Sequence, residues 1–186
     1  MQLIHKIETL TQLSAGAKDY LLQHTERFSY KKNEELLRNG KVCNYLFFIN
    51  AGFMRGYYLL ENKEVTNWLA TENDFCTSYY SLISRGPSYE TIECIEKCEV
   101  EAVSYATLNK VYTLFPETER VGRLILEDYY CRLEERLISI QFKSARERYE
   151  MLFKTRPELL NRAPLGYLAS YLGITQETLS RIRADL

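Results

Sequence analysis

Histidine is scarce in this sequence. Only His5 and His24 occur among 186 residues, both in an N-terminal stretch with helical spacing. No Ser-His-Asp set can be assembled, and no phosphate-binding glycine loop or cluster of metal-ligating side chains takes its place. No enzyme chemistry, metal or cofactor is therefore expected. A long apolar run is missing too. The longest, Tyr45 to Ile49, falls far short of the ~20 residues a membrane helix needs. The opening "MQLIHKIETLTQL" interrupts its apolar Leu3, Ile4, Ile7 and Leu10 with His, Lys and Glu, unlike the continuous core of a signal peptide. No membrane partner is expected, and the chain is placed in the cytoplasm. Paired CxxC spacing is absent as well. The five cysteines, at positions 43, 76, 94, 98 and 131, are odd in number and sit mostly inside apolar patterns, so they read as buried thiols. If one strand ran through Cys94 and Cys98, they would share a face ~13 Å apart, too far for one metal.

What is present is an ordinary globular composition, 46% hydrophobic and 26% charged, long enough for one domain or two small ones. The net charge of −1 conceals an asymmetry, because residues 143–186 carry a balance of +3 and the remainder −4. A basic C-terminal piece on an acidic body points to a polyanionic partner.

The texture changes three times along the chain. The first ~25 residues read as one or two short helices. From Phe28 to about Tyr105, β-branched and aromatic runs are broken by turn signals at "RNGK" (38–41), "NAG" (50–52), "ENKE" (61–64), "TEND" (71–74) and "SRGPS" (84–88), the mark of a sandwich or barrel. Within it "YLFFINAGFMRGYYLL" reads as two strands joined at Asn50-Ala51-Gly52, and "FCTSYYSLI" (Phe75 to Ile83) as a Tyr-rich strand segment. After Pro116 the pattern is helical for about 28 residues. Leu126, Tyr130, Leu133, Leu137 and Ile140 form a short heptad seam suited to a partner helix, while Val121, Leu124, Ile125 and Tyr129 form a second stripe for the chain's own body. Two such helices side by side would make a twofold homodimer.

The segment "PLGYLASYLGITQETLSRIR" (164–183) fits a helix-turn-helix. Leu168 and Leu172 face inward, and Ala169 is small enough for a close helix crossing. Gly173 supplies a positive φ, Ile174 closes the turn, Thr175 caps the second helix, and Leu179 and Ile182 return to the core. Thr175, Gln176, Glu177, Ser180, Arg181 and Arg183 are left on the outer side as candidate DNA-binding residues. Arg181 suits guanine, Glu177 a cytosine amino group, Gln176 adenine or a phosphate, and Ser180 a phosphate. An ordinary helical hairpin with a solvated face remains the alternative.

These residues resemble the Crp/Fnr family of bacterial transcription regulators over nearly the whole chain. The likeness rests on "GFMR" (52–55), "NKE" (62–64), "CEVEAVSY" (98–105), the long helix and, most specifically, "LGITQETLSRIR" (172–183). It implies an α+β fold with three parts: a cyclic-nucleotide-binding-like β-roll sensor of double-stranded jelly-roll type at 1–115, a dimerisation helix at 116–143, and a helix-turn-helix domain at 144–186. By position, Gln176, Glu177 and Arg181 match the family's base-reading residues. The implied partners are double-stranded DNA bearing an inverted-repeat operator, a second copy of the chain, and RNA polymerase.

The same comparison weakens one expectation. Where nucleotide-binding members carry a Gly-Glu pair, this chain has Thr77 and Ser78; where they carry Arg followed by Ser/Thr-Ala, it has Ser88, Tyr89 and Glu90. No cation remains for a cyclic phosphate, and an unpaired buried anion is disfavoured. Arg85, three residues earlier, is the one candidate replacement. The pocket residues are thus Thr77, Ser78, Tyr79, Arg85, Ser88 and Tyr89, filled either by an uncharged small-molecule effector or by the protein's own side chains. Family members also commonly continue into a β-hairpin wing; the sequence stops at Leu186, which implies a wingless branch or a truncated chain. A vestigial helix-turn-helix on a ligand-binding or protein-interaction module stands as the rival function.

Overall fold

The computed structural model describes residues 1–185. Two short helices, α1 (Gln2–Leu10) and α2 (Ala15–His24), lead into the strands β1 (Thr25–Tyr30), β2 (Glu35–Leu37), β3 (Tyr45–Ala51), β4 (Met54–Leu60), β5 (Lys63–Ala70) and β6 (Phe75–Cys76). The helix α3 (Tyr79–Ser84) precedes β7 (Glu90–Cys94) and β8 (Cys98–Ser104). Six helices complete the order: α4 (Tyr105–Leu114), α5 (Glu117–Phe142), α6 (Ala145–Thr155), α7 (Pro157–Arg162), α8 (Leu165–Leu172) and α9 (Gln176–Ala184).

The strands form two antiparallel four-stranded sheets, ordered β1-β8-β3-β6 and β2-β7-β4-β5. Alternation explains how they face one another. Phe47, Ile49, Met54, Cys94, Val100 and Ala102 point inward to a common core between the sheets. The expected turn at Asn50-Ala51-Gly52 does join two strands, but β3 and β4 enter opposite sheets and do not pair as a hairpin. Gly52 adopts φ +106, and a Cβ there would lie 2.5 Å from the Lys97 carbonyl oxygen, so only glycine fits. The two-residue loop of the β4–β5 hairpin has positive φ at both Glu61 and Asn62, the twist that a tight hairpin needs.

Two sequence expectations are corrected. The "FCTSYYSLI" segment is strand only at β6; Tyr79 to Ser84 wind into α3, which ends on Arg85 at φ 60. Cys94 and Cys98 do not lie on one strand either. The chain turns after β7 and crosses to the other sheet, so the two side chains come from strands of opposite sheets into the core between them. The neighbouring Cys98 sulfur, together with burial, raises the pKa of Cys94. Cys43, Cys76, Cys94 and Cys98 are buried free thiols, whereas Cys131 is exposed.

Outside the roll, α1, α2, α4 and the first half of α5 pack on one side through Leu3, Ile7, Leu21, Val111, Val121 and Ile125. The C-terminal helices share their core with the roll: Leu152, Leu159, Leu168, Leu172 and Leu179 are buried together with Phe53, Leu69 and Ile95. No helix among the described residues is long and apolar enough to cross a membrane.

Candidate nucleic-acid interface

The local chemistry of 165–184 builds a tight two-helix corner. α8 ends on Gly173 at φ 66. The Gly173 amide donates to the Ser170 carbonyl at 3.1 Å and the Ile174 amide to the Ala169 carbonyl at 3.0 Å, the paired bonds of a Schellman ending. Thr175 then caps α9, its hydroxyl accepting from the Thr178 amide at 3.2 Å. Leu168, Ala169, Leu172 and Leu179 are buried beneath the corner.

The polar side of α9 is exposed. Thr175, Gln176, Glu177, Ser180, Arg181 and Arg183 all face solvent. Backbone amides at the helix start, the Thr175 hydroxyl and Arg181 one turn on lower the pKa of Glu177 and keep it ionised. The Gln176 amide nitrogen comes within 3.1 Å of where a Cβ on Gly166 would stand, so the absence of a side chain at Gly166 leaves it room.

Sequence reasoning missed what holds this corner in place. Arg55 is 1% exposed, and its guanidinium is covered by the ring of Tyr167 from α8 at 3.4 Å. It donates to Glu93 at 2.9 and 2.7 Å and also pairs with Glu64. Burial alone would lower its pKa, but the two carboxylates more than offset that and raise it. On the edge strand β5, the Thr66 amide donates to the Ser170 hydroxyl at 2.9 Å, and the Thr66 carbonyl accepts from Arg136 of α5 at 3.0 Å. Arg136 donates as well to the Tyr171 carbonyl at 2.8 Å and stacks on that ring. α8 and Arg136 thus cover backbone groups that an open sheet edge would expose. Arg162 of α7 completes the attachment by pairing with Glu72 and Glu96, each at 2.7 Å. The one legible signal was an arginine inside the apolar run "GFMRGYY", which demands a buried partner.

On α5 the two stripes separate. Val121 and Ile125 are buried in the body. Leu126, Tyr130, Leu133, Leu137 and Ile140 are 43–61% exposed and form an apolar face.

The six pocket residues lie around α3 and its flanks, and most are engaged internally. Thr77 donates to the Tyr45 carbonyl at 2.8 Å. Ser88 bonds Ser78 at 2.9 Å, with both nearly inaccessible. Tyr79 stacks on Tyr129 of α5 with ring centres 3.9 Å apart, and Tyr89 meets Tyr80. Arg85 donates to the Cys43 carbonyl at 2.7 Å, bonds Asn44 and lies over Tyr105. Beside Ser78 sits Glu90, which accepts from the Trp68 indole at 2.8 Å; burial raises its pKa. The Trp68 ring lies so close to Gly56 that a Cβ there would be 2.2 Å from it. Among the described residues, no group of three or more His, Cys, Asp or Glu side chains is placed to hold a metal.

Residues 27–113 match the cyclic nucleotide-binding domain family. FixK2 from Bradyrhizobium japonicum is similar at 23% identity and a TM-score of 0.75, covering 87% of this chain and 84% of that one. The c-di-GMP-responsive regulator CLP of Xanthomonas campestris is 18% identical with a TM-score of 0.72, over 92% and 91% of the two chains. A protein described as a crp/fnr-family transcriptional regulator, from Eubacterium rectale, is 18% identical with a TM-score of 0.70, over 91% and 82%. No curated protein matches the chain. The family match is confined to the roll, and the chain as a whole shares the fold of these solved structures.

Proposed function

We propose that the protein is a homodimeric, sequence-specific DNA-binding transcription regulator that does not respond to cyclic AMP, with no enzymatic activity. The observation that carries this reading is the division within α9. Leu179 is buried and Ile182 half-buried, while Gln176, Glu177, Ser180, Arg181 and Arg183, suited to bases and phosphates, are exposed. The exposed seam of α5 supports pairing with a second copy, which would set two recognition helices on successive major grooves ~34 Å apart. The buried Glu90 and the internal bonds of Ser78, Ser88 and Arg85 support the absence of a cyclic-phosphate response, because among the described residues the nearby cation, Arg85, is already spent on the Cys43 carbonyl and Asn44.

Selection of bound sequences from a random DNA pool tests the reading. It should return an inverted repeat, unchanged when cyclic AMP is added, and Arg181→Ala should lose about 1 to 3 kcal/mol on the recovered site and relax preference at one base pair. A pool without an inverted repeat, together with unaltered binding by Arg181→Ala, sinks it. The rival, an interaction module with a vestigial helix-turn-helix, would show no salt-sensitive DNA affinity at all.

A further inference from the structure

A cavity of about 500 Å³ lies between α5, the β5–β6 side of the roll, and α6 with α8. That size suits a small organic ligand. Ile125, Tyr129, Leu152 and Leu159 give it apolar walls. Its charges do not balance. Arg132 and Arg156 are paired to Asp74, and Arg132 to Asp128 as well. Lys6 and Glu135, also on the wall, carry opposite charges. Arg136 and Arg148 are left over: among the described residues their polar partners are main-chain carbonyls, at Tyr171 and Thr66 for Arg136 and at Lys143 and Ile140 for Arg148. The Nε of Arg148 is buried with no hydrogen-bond partner. The two guanidinium groups also oppose each other; burial is the main cause of the lowered pKa of Arg136, and Arg148 adds to it.

We propose that this cavity binds an amphipathic organic carboxylate, its head group held by Arg136 and Arg148 and its apolar body lying along Tyr129, Ile125 and Leu152. A carboxylate has the planar pair of acceptors that a guanidinium fork matches. It would offset two like charges at once, which an uncharged ligand cannot do. The site adjoins the place a cyclic phosphate would take, sharing Thr77 and Tyr79 with it, but its two leftover cations come from α5 and α6, and neither Ser78, Ser88 nor Glu90 lines it. It also stands or falls independently of DNA binding.

Titration calorimetry on the full chain with 1-naphthoate, and with the uncharged 1-naphthylmethanol for comparison, tests the proposal. Naphthoate should saturate at one per chain and bind at least about tenfold tighter than the alcohol, and Arg148→Gln should remove about tenfold or more of that affinity. Equal affinity for the two probes, absence of saturable naphthoate binding, or an Arg148→Gln protein that binds naphthoate as before would overturn it. Were Arg148→Gln to fail to fold, Arg148→Lys takes its place, keeping the charge and losing the planar fork. Naphthoate affinity must then still fall, and an unchanged affinity overturns the site.

Discussion

The two faces of the C-terminal helices are built on opposite terms. Its inner face, made by α7 and α8, is tied to the roll by Arg162, Tyr167 and Ser170, and Arg136 adds a third element by bonding β5 and α8 from the long helix. Its outer face, α9, uses its polar side chains on almost nothing but itself: the Thr175 cap and the helix-start contacts of Glu177. The contrast shows where geometry is fixed and where it is free. A helix that reads another molecule must keep its donors and acceptors unspent, so the helix before it has to carry the orientation. The position of α9 is therefore set by its packing on α8 and α6 and not by its exposed polar side chains.

The largest effect expected from breaking this contrast is at Arg55. Arg55→Ala removes the cation between Glu93, Glu64 and the Tyr167 ring, and leaves a carboxylate at Glu93 that is 9% exposed without its partner. Loss of one member of a buried pair costs about 3 to 5 kcal/mol, so the melting temperature should drop by many degrees. Arg55→Met, similar in length and able to cover the same surface, should recover part of the loss. If Arg55→Ala melts with the parent chain, the inner face is not held as described.

The corner between α8 and α9 was legible. Gly173, Thr175, Leu168, Leu172 and Leu179 announce themselves because a helix-turn-helix places its glycine, cap and apolar residues at fixed short intervals. The five turns of the roll were legible for a similar reason. Each quoted stretch contains a residue at positive φ, at Gly40, Gly52, Glu61 and Asn62, Asn73, and Arg85, which local turn chemistry signals. α3 was not legible, because six residues are too few to establish a helical period. Nor was the inner face, because Arg55 meets Tyr167 and Arg136 meets Thr66 across separations that no local pattern encodes. The turn between Cys94 and Cys98 escaped because Ile95-Glu96-Lys97 carries no Gly, Pro or Asn to signal it, although the alternation of the flanking strands lapses there.

A smaller effect sharpens the contrast on the outer side. Thr175→Ala takes away the side-chain acceptor for the Thr178 amide and should cost about 1 kcal/mol of stability, the usual loss of a helix cap. Because the Thr175 side chain bonds only to Thr178 within α9, that cost should be the same in an Arg162→Ala background. Chemical denaturation of the four proteins in the double cycle checks it, and a coupling clearly above ~0.5 kcal/mol would show that the two faces are not separate.

The smallest effect is a pH dependence of the inner face. Hydrogen bonding to Arg162, aided by the Gly52 amide, holds the Glu72 carboxyl at about 2 against an ordinary 4.5. A carboxylate whose folded pKa is depressed stabilises the fold fully above its unfolded pKa and loses that contribution as the pH falls toward the folded one. The α7 attachment should therefore weaken between pH 4.5 and about 2 and be indifferent to pH above that window. Glu72 is more than a third exposed, with 36% of its side chain in contact with solvent, so screening should keep the change to about 1 kcal/mol or less. Glu72→Gln should flatten this part of the acid response by comparison with the parent chain, while Glu177→Gln on the outer face should leave the attachment of α7 unchanged. Hydrogen exchange at the amides of α7, followed as the pH is lowered and corrected for its intrinsic rate, reads the attachment directly; equal loosening in the parent chain and in Glu72→Gln would remove this pair from the account.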